Sequence, residues 1–270
     1  MLPPGAGPAP AAGDILFHLK HWEVVVSTFV LVHPAWFGGW CWGKGAPQLR
    51  AHGHQVHTPT LTGLSERAHL ASPDVGLATH IDDVAAVVLF DDLRDVVLVG
   101  SSSTGTVITG VAARIPDRVA SLVYLDAFVP ADGQCTRDML PLERRAALDS
   151  LVETEGGGWL LPRFAPPPWP TIVRGMWEIT DEADVEWILP RLRPTPYRHF
   201  TDPVQLRGVD LDGIDRLYVR CPRQPAPFDA FAKAARSSPV WRYEELDTPH
   251  LPFITHPDLV TAVLLDTASR

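Results

Sequence analysis

The chain has 270 residues, 46% of them hydrophobic and 20% charged, with 23 Lys plus Arg against 32 Asp plus Glu. That is enough apolar material for a substantial core, and it excludes a mostly disordered chain. The formal charge of -9 leaves no basic footprint for nucleic acid or for an anionic membrane surface. Cys41, Cys135 and Cys221 are scattered and odd in number. They make neither a metal spacing nor a disulfide framework, so a reducing, cytoplasmic setting is the simpler reading.

Residues 1–13, MLPPGAGPAPAAG, have no charge and no period and read as a disordered tail. Residues 1–26 are read as a dispensable extension, with one domain over 27–270. Val24 to Gly43 passes without a formal charge for about the length of a spanning helix. Its Ser27, Thr28, His33, Pro34 and Gly38-Gly39, with a β-branched first half, instead indicate a buried strand entering a Gly-rich loop, and no membrane partner is expected.

Further along, short apolar runs alternate with helix-compatible segments. The runs are Phe29–Val32, His54–Thr58, Val96–Val99, Leu122–Leu125, Leu217–Val219 and Trp241–Leu246. Between them lie Trp40–Ala51, Thr79–Phe90, Thr106–Ile115, Phe228–Ala235 and Pro257–Thr267. Continuous Val, Leu and Ile strands separated by helices predict a doubly wound, mainly parallel six-stranded α/β sheet covered on both faces. The alternation fails from about 130 to 204, where Gly156-Gly157-Gly158, Pro166-Pro167-Pro168 and four tryptophans occur. An insertion of this size predicts a helical cap over a site.

The run from Val96 to Gly105 is a strand entering a small-residue turn and then a helix. A serine in such a turn can be held exposed at the top of a sheet, with the helix N-terminus beneath developing negative charge. The pattern expected for that chemistry is Gly-x-Ser-x-Gly; here it reads Gly100-Ser101-Ser102-Ser103-Thr104, without the last glycine. Taken alone, the turn is equally readable as a helix N-cap.

Several segments carry a resemblance that raises the first reading. FVLVHPAWFGGWCW, GHQVHTPTLTGLSERAHLASPDVGLATHIDDV, LRDVVLVG and ITGVAARIPDRVASLVYLDAFVPADGQ resemble bacterial esterase-like relatives of plant methylesterases and hydroxynitrile lyases, a branch of the α/β-hydrolase superfamily. The similarity covers Phe29 to Gln134, returns at Leu217–Asp247 and the final helix, and is weak through the cap. It implies Ser102 as the nucleophile, with the backbone N–H groups of Ala35 and Ser103 as an oxyanion hole. Pro34 replaces a family glycine there and stiffens the loop, while Ala35 keeps its amide.

Leu246-Asp247-Thr248-Pro249-His250 matches the family's Leu-Asp-Thr-Gly-His, which implies His250 as the general base. His33 is read as structural, and His52, His54, His57 and His80 as surface or hydrogen-bonded residues. The acid is less direct. Gln224 stands where plant relatives carry aspartate, and an amide cannot offset an imidazolium. Asp126, at the end of the strand after the nucleophile helix, keeps the nucleophile–acid–base order; Asp229 is the fallback, and Asp247 is read as ordering its own turn. Two departures weigh against competence. Thr104 puts a β-branched residue where the elbow is tight, and Ser103 is polar where the family has a pocket-lining apolar residue.

Trp36 and Phe37 after the oxyanion loop, with Trp159 and Trp177 from the cap, predict a pocket for a small apolar or aromatic molecule. No phosphate cradle or metal spacing is visible, so no cofactor is expected; a homodimer stays open. The expected activity is hydrolysis of a small carboxylic ester or lactone through an acyl-enzyme. The alternatives are a cofactor-free lyase or cyclase on the same fold, and a catalytically silent ligand-binding homologue. Hydroxynitrile lyase chemistry is disfavoured, because Pro34 and Leu251 stand where the plant lyases have threonine and lysine.

Overall fold

The computed structural model describes residues 26–163, 168–223 and 227–268. Nearly all of the N-terminal extension, and Gln224, lie outside them.

The first strand, β1 (Thr28–Val32), leads through a 3-10 turn at Gly39–Trp42 to α1 (Gly45–Ala51), then β2 (Gln55–His57), α2 (Leu77–Phe90), β3 (Val96–Ser101), α3 (Gly105–Arg114) and β4 (Val119–Leu125). The intervening segment holds α4 (Leu142–Glu155), β5 (Leu160–Leu161), α5 (Trp169–Thr171) running into a π-helical turn at Ile172–Met176, α6 (Glu182–Ile188), β6 (Thr195–Pro196) and α7 (Arg198–Thr201). The chain closes with β7 (Asp215–Arg220), α8 (Asp229–Arg236), β8 (Arg242–Glu245), α9 (Pro252–Thr255) and α10 (Pro257–Ala268). All six expected apolar runs are strands. The single helix expected over Trp40–Ala51 is broken at Gly43-Lys44. Ahead of the break the chain is pinned at Gly39, where a Cβ would stand 2.0 Å from the Thr58 carbonyl oxygen.

The main sheet has the order β2-β1-β3-β4-β7-β8, and each neighbouring pair is parallel. Strands buried on both faces need apolar residues at every position, not at alternate ones. In β1, Phe29 and Leu31 pack on one side with Ala46 and Leu49 of α1 and Val260 and Leu264 of α10. Val30 and Val32 pack on the other, with α2 and α3. The edge strand β8 reads Arg-Tyr-Glu-Glu and is only half-buried; its charges discourage pairing with another chain. The inserted segment is mostly helical, as expected, but also carries the antiparallel pair β5–β6.

Strand order reverses between β1 and β3, which places the loops at their carboxyl ends side by side. In open parallel sheets this crevice is where ligands bind. The His33–Phe37 loop leaves β1 there, and the Ser102 turn leaves β3.

Candidate active site

At Ser102 the backbone takes φ 55°, a left-handed conformation that costs a non-glycine residue about 1–3 kcal/mol. The turn is held from outside: Phe128 N donates to the Ser102 carbonyl at 3.0 Å. Gly105 permits this approach, because a Cβ there would lie 2.0 Å from the Phe128 carbonyl oxygen. The glycine that the turn requires is therefore Gly105, one position beyond the missing one. Thr104 has φ -82° and is fully buried. Its hydroxyl accepts from Ser101 N at 3.0 Å and donates to the Ser101 carbonyl at 2.8 Å, with the Val32 carbonyl at 3.3 Å. The β-branched side chain expected to crowd the elbow instead ties β3 to β1.

His250 sits in the loop after β8, buried, with its ring stacked on Phe228 at 4.8 Å and 19°. Its Nδ1 lies 2.7 Å from Asp126 Oδ2. A carboxylate there selects the Nδ1–H tautomer and leaves Nε2 as the basic nitrogen. Asp126 is fully buried and also has a left-handed φ, 44°. Its other oxygen, Oδ1, accepts from Arg220 Nη1 at 2.6 Å and from Cys221 N at 3.2 Å. Sequence reasoning missed Arg220, since nothing at the end of β7 marks it as facing another strand's carboxylate. The fallback Asp229 is engaged elsewhere, accepting from Arg220 Nη2 at 2.7 Å, and its side chain is 69% exposed. Asp247 pairs with Arg223 at 2.9 Å.

The loop after β1 is anchored at both ends. His33 accepts from Leu61 N at 3.0 Å and its Nδ1 lies 2.9 Å from the Pro34 carbonyl, and burial pulls its pKa down to about 4. It is a structural, neutral histidine. Trp36 has φ 69°; its N donates to Thr195 Oγ1 at 2.9 Å and its Nε1 to the Leu161 carbonyl at 3.2 Å. Both partners belong to the β5–β6 pair, which fastens this loop to the inserted segment. Of the two amides expected to bind an oxyanion, Ala35 N already donates to Ser103 Oγ at 3.3 Å. That hydroxyl also meets His199 Nε2 at 2.9 Å. His199 lies in the part of the chain where sequence alternation fails, and no signal there points to it.

Ser102, Ser103 and His250 line one cavity of about 280 Å³ with Pro34, Ala35, Trp36, Phe37 and Trp177. Phe128, Phe200, Phe228 and Leu251 add further apolar wall, and the inserted segment supplies Leu140, Arg144 and Met176. Trp159, expected in the pocket, is not among the lining residues. It lies in the turn between α4 and β5, where its carbonyl accepts from Tyr197 N at 2.7 Å. Trp36, Trp169 and Trp177 instead form an aromatic cluster with centroid separations of 5.5–6.3 Å. Among the described residues there is no group of three His, Cys, Asp or Glu placed to hold a metal ion, and no helix is long and apolar enough to cross a membrane.

A serine on a left-handed turn after a parallel strand, lining one cavity with a histidine that contacts a carboxylate, is an arrangement of the α/β-hydrolase class. The chain belongs to the alpha/beta hydrolase family, whose model matches residues 29–263. It is 38% identical over 230 residues to a carbendazim hydrolyzing esterase from Nocardioides sp. (strain SG-4G), covering 83% of this chain and 93% of that one. It is 25% identical over 266 residues to methylesterase 3 of Arabidopsis thaliana, covering 89% and 95%. A solved extracellular alpha/beta-hydrolase from a Paenibacillus species superposes with a TM-score of 0.74 at 24% identity, covering 89% and 98%; that likeness speaks for the fold.

Proposed function

We propose that this protein is a serine hydrolase that cleaves a small carboxylic ester with an apolar or aromatic group. Ser102, His250 and Asp126 are its nucleophile, base and acid. The observation that carries this reading is the buried 2.7 Å His250–Asp126 contact beside a serine strained to φ 55° on the wall of the same apolar cavity. Named esterases among the relatives support the reaction class.

In this reading His250 Nε2 takes the Ser102 proton as Oγ attacks the ester carbonyl. Asp126 holds the tautomer and stabilises the imidazolium that forms. The amides of Ser103 and Ala35 receive the oxyanion, a contribution worth about 10²–10³ in rate per donor. Collapse expels the alcohol, protonated by His250, and water then hydrolyses the acyl-enzyme by the same steps in reverse. The aromatic wall favours a flat apolar substrate of modest size. The inserted segment serves as the cap, since it contributes Leu140, Met176 and Trp177 to that wall. The reading includes a cytoplasmic setting, supported by Cys41, Cys135 and Cys221 being buried free thiols.

Labelling with a fluorophosphonate probe, read by intact mass, tests the reading with Ser102→Ala as control. One adduct on the wild type, absent from the variant, is expected. A folded wild type that takes no adduct overturns it. One observation favours the silent-binder alternative: Ala35 N–H is already occupied by the Ser103 hydroxyl.

A further inference from the structure

That occupied amide is one end of a buried chain of hydrogen bonds. Ala35 N meets Ser103 Oγ at 3.3 Å, Ser103 Oγ meets His199 Nε2 at 2.9 Å, His199 Nδ1 meets His80 Nδ1 at 2.8 Å, and His80 Nε2 meets the Thr62 carbonyl at 2.9 Å. Ser103, His199 and His80 are all buried.

Donor and acceptor roles along this chain are forced from its far end. The Thr62 carbonyl can only accept, so His80 Nε2 carries a proton. With His80 neutral, its Nδ1 is an acceptor, so His199 Nδ1 must donate to it. His199 Nε2 is then bare and must accept the Ser103 hydroxyl proton. The hydroxyl's lone pairs are left to face Ala35 N–H. Burial holds both imidazoles on the neutral side: His199 falls well below its ordinary pKa and His80 is also lowered, desolvation being the main cause for each. The chain therefore has one direction, from the Ala35 N–H at its donating end to the Thr62 carbonyl at its accepting end.

We propose that Ser103 is a positioning residue whose hydroxyl, oriented by His80 and His199, stands as a cap on the Ala35 amide, which the developing oxyanion must displace. This rests on the reading that Ala35 and Ser103 amides bind the oxyanion. The cap is weak, since 3.3 Å is long for an N–H···O bond. It is also placed where it competes with the reaction, because a locked acceptor cannot donate to negative charge. The resting site offers the Ala35 donor only when the hydroxyl is turned aside. Ester turnover in the wild type is thus held below what the same serine, histidine and aspartate would deliver.

The test is steady-state hydrolysis of p-nitrophenyl butyrate by wild type, Ser103→Ala and Ser103→Cys, with the Ala35 amide proton followed by two-dimensional ¹H–¹⁵N NMR. Ser103→Ala removes the cap, and kcat is expected to rise about 3–10-fold with little change in KM, the equivalent of a net hydrogen bond. Ser103→Cys keeps the volume with a weaker acceptor and is expected to rise less; it decides the matter if the alanine variant does not fold. In both, the Ala35 amide proton moves upfield. A merely structural role for Ser103 gives an unchanged or lower kcat in folded variants, and that result overturns the proposal. A wild type that neither labels nor hydrolyses overturns the hydrolase reading instead; the Ala35 shift then still reads the cap, and its absence sinks that too.

Discussion

Asp126, the first residue after β4, and Arg220, the last of the adjacent strand β7, form a buried ion pair at 2.6 Å while the second oxygen of the same carboxylate holds His250 at 2.7 Å. One buried carboxylate thus has three cationic or proton-bearing neighbours, Arg220 and Cys221 N on one oxygen and His250 on the other. In the proposed reading, this division is what lets Asp126, rather than a residue after β7, act as the acid. The strand-end turn at φ 44° aims it, while Arg220 and Cys221 N hold one oxygen. Asp126→Asn is expected to lower kcat on an ester by about 10⁴, the size seen when a triad carboxylate becomes an amide and the wrong imidazole tautomer results. Asp229→Asn should leave kcat within a few-fold. Near-normal turnover in the Asp126 variant would move the acid to another residue.

Arg220 itself is the next expectation. Its side chain is 4% exposed, and it bridges Asp126 to Asp229. Removing one partner of a buried pair leaves the other charge uncompensated, at a cost of about 3–5 kcal/mol. Arg220→Met should show that loss in urea unfolding and should also lower kcat, because Asp126 is freed to turn away from His250. Arg220→Lys, which keeps charge but not the two-sided fork, should fall between. Full stability in the methionine variant would show that the ion pair contributes nothing net.

The elbow gives a contrast between two neighbouring positions. Gly105→Ala would place a methyl 2.0 Å from the Phe128 carbonyl oxygen, so the Phe128 segment, which lines the cavity, must move. Thr104→Gly restores the motif glycine but deletes a hydroxyl bonded to Ser101 N and the Ser101 carbonyl. Both are expected to lose stability, by about 1–3 kcal/mol. Thr104→Val isolates the hydroxyl and should lose a similar amount. A gain in thermal midpoint for Thr104→Gly would restore the view that threonine crowds this turn.

How much of this was legible beforehand follows from the kind of signal each part leaves. β1 and β3 announce themselves because burial on both faces demands unbroken apolar runs, and Phe29, Val30, Leu31 and Val32 are all fully buried. Ser102, Asp126 and His250 were picked out as candidates by the family resemblance and by chain order; His250 and Asp126 are in contact, and Ser102 lines the same cavity as His250. Arg220 and His199 were not, because their roles arise from partners 94 and 96 residues away in sequence, and neither sits in a motif. Trp159 misled for a related reason: a tryptophan in an insertion can pack as wall, strut or surface, and composition does not distinguish them. The requirement at Gly105 was also hidden, since it is set by the Phe128 carbonyl, a backbone atom with no residue signature.

The buried histidines make stability depend on pH in a definite direction. His33 has its pKa lowered to about 4, chiefly by burial, which its backbone contact to Pro34 and the charges of Glu66 and Asp83 only partly offset. His80 and His199 are lowered by the same cause. In the unfolded chain each titrates near 6.5. Between about pH 4 and 6.5 the unfolded state therefore binds more protons, so stability rises with pH across that window. The full contribution is present above pH 6.5 and is lost as pH falls toward 4. His33 alone should withdraw about 2 kcal/mol between pH 7 and pH 5, and His80 and His199 add to it with the same sign. Urea unfolding at pH 7 and pH 5 is expected to show it, with a smaller difference in His33→Gln. Equal stability at the two values would mean that these imidazoles are reached by water or by a counter-charge, and that the His80–His199 pair is not held neutral.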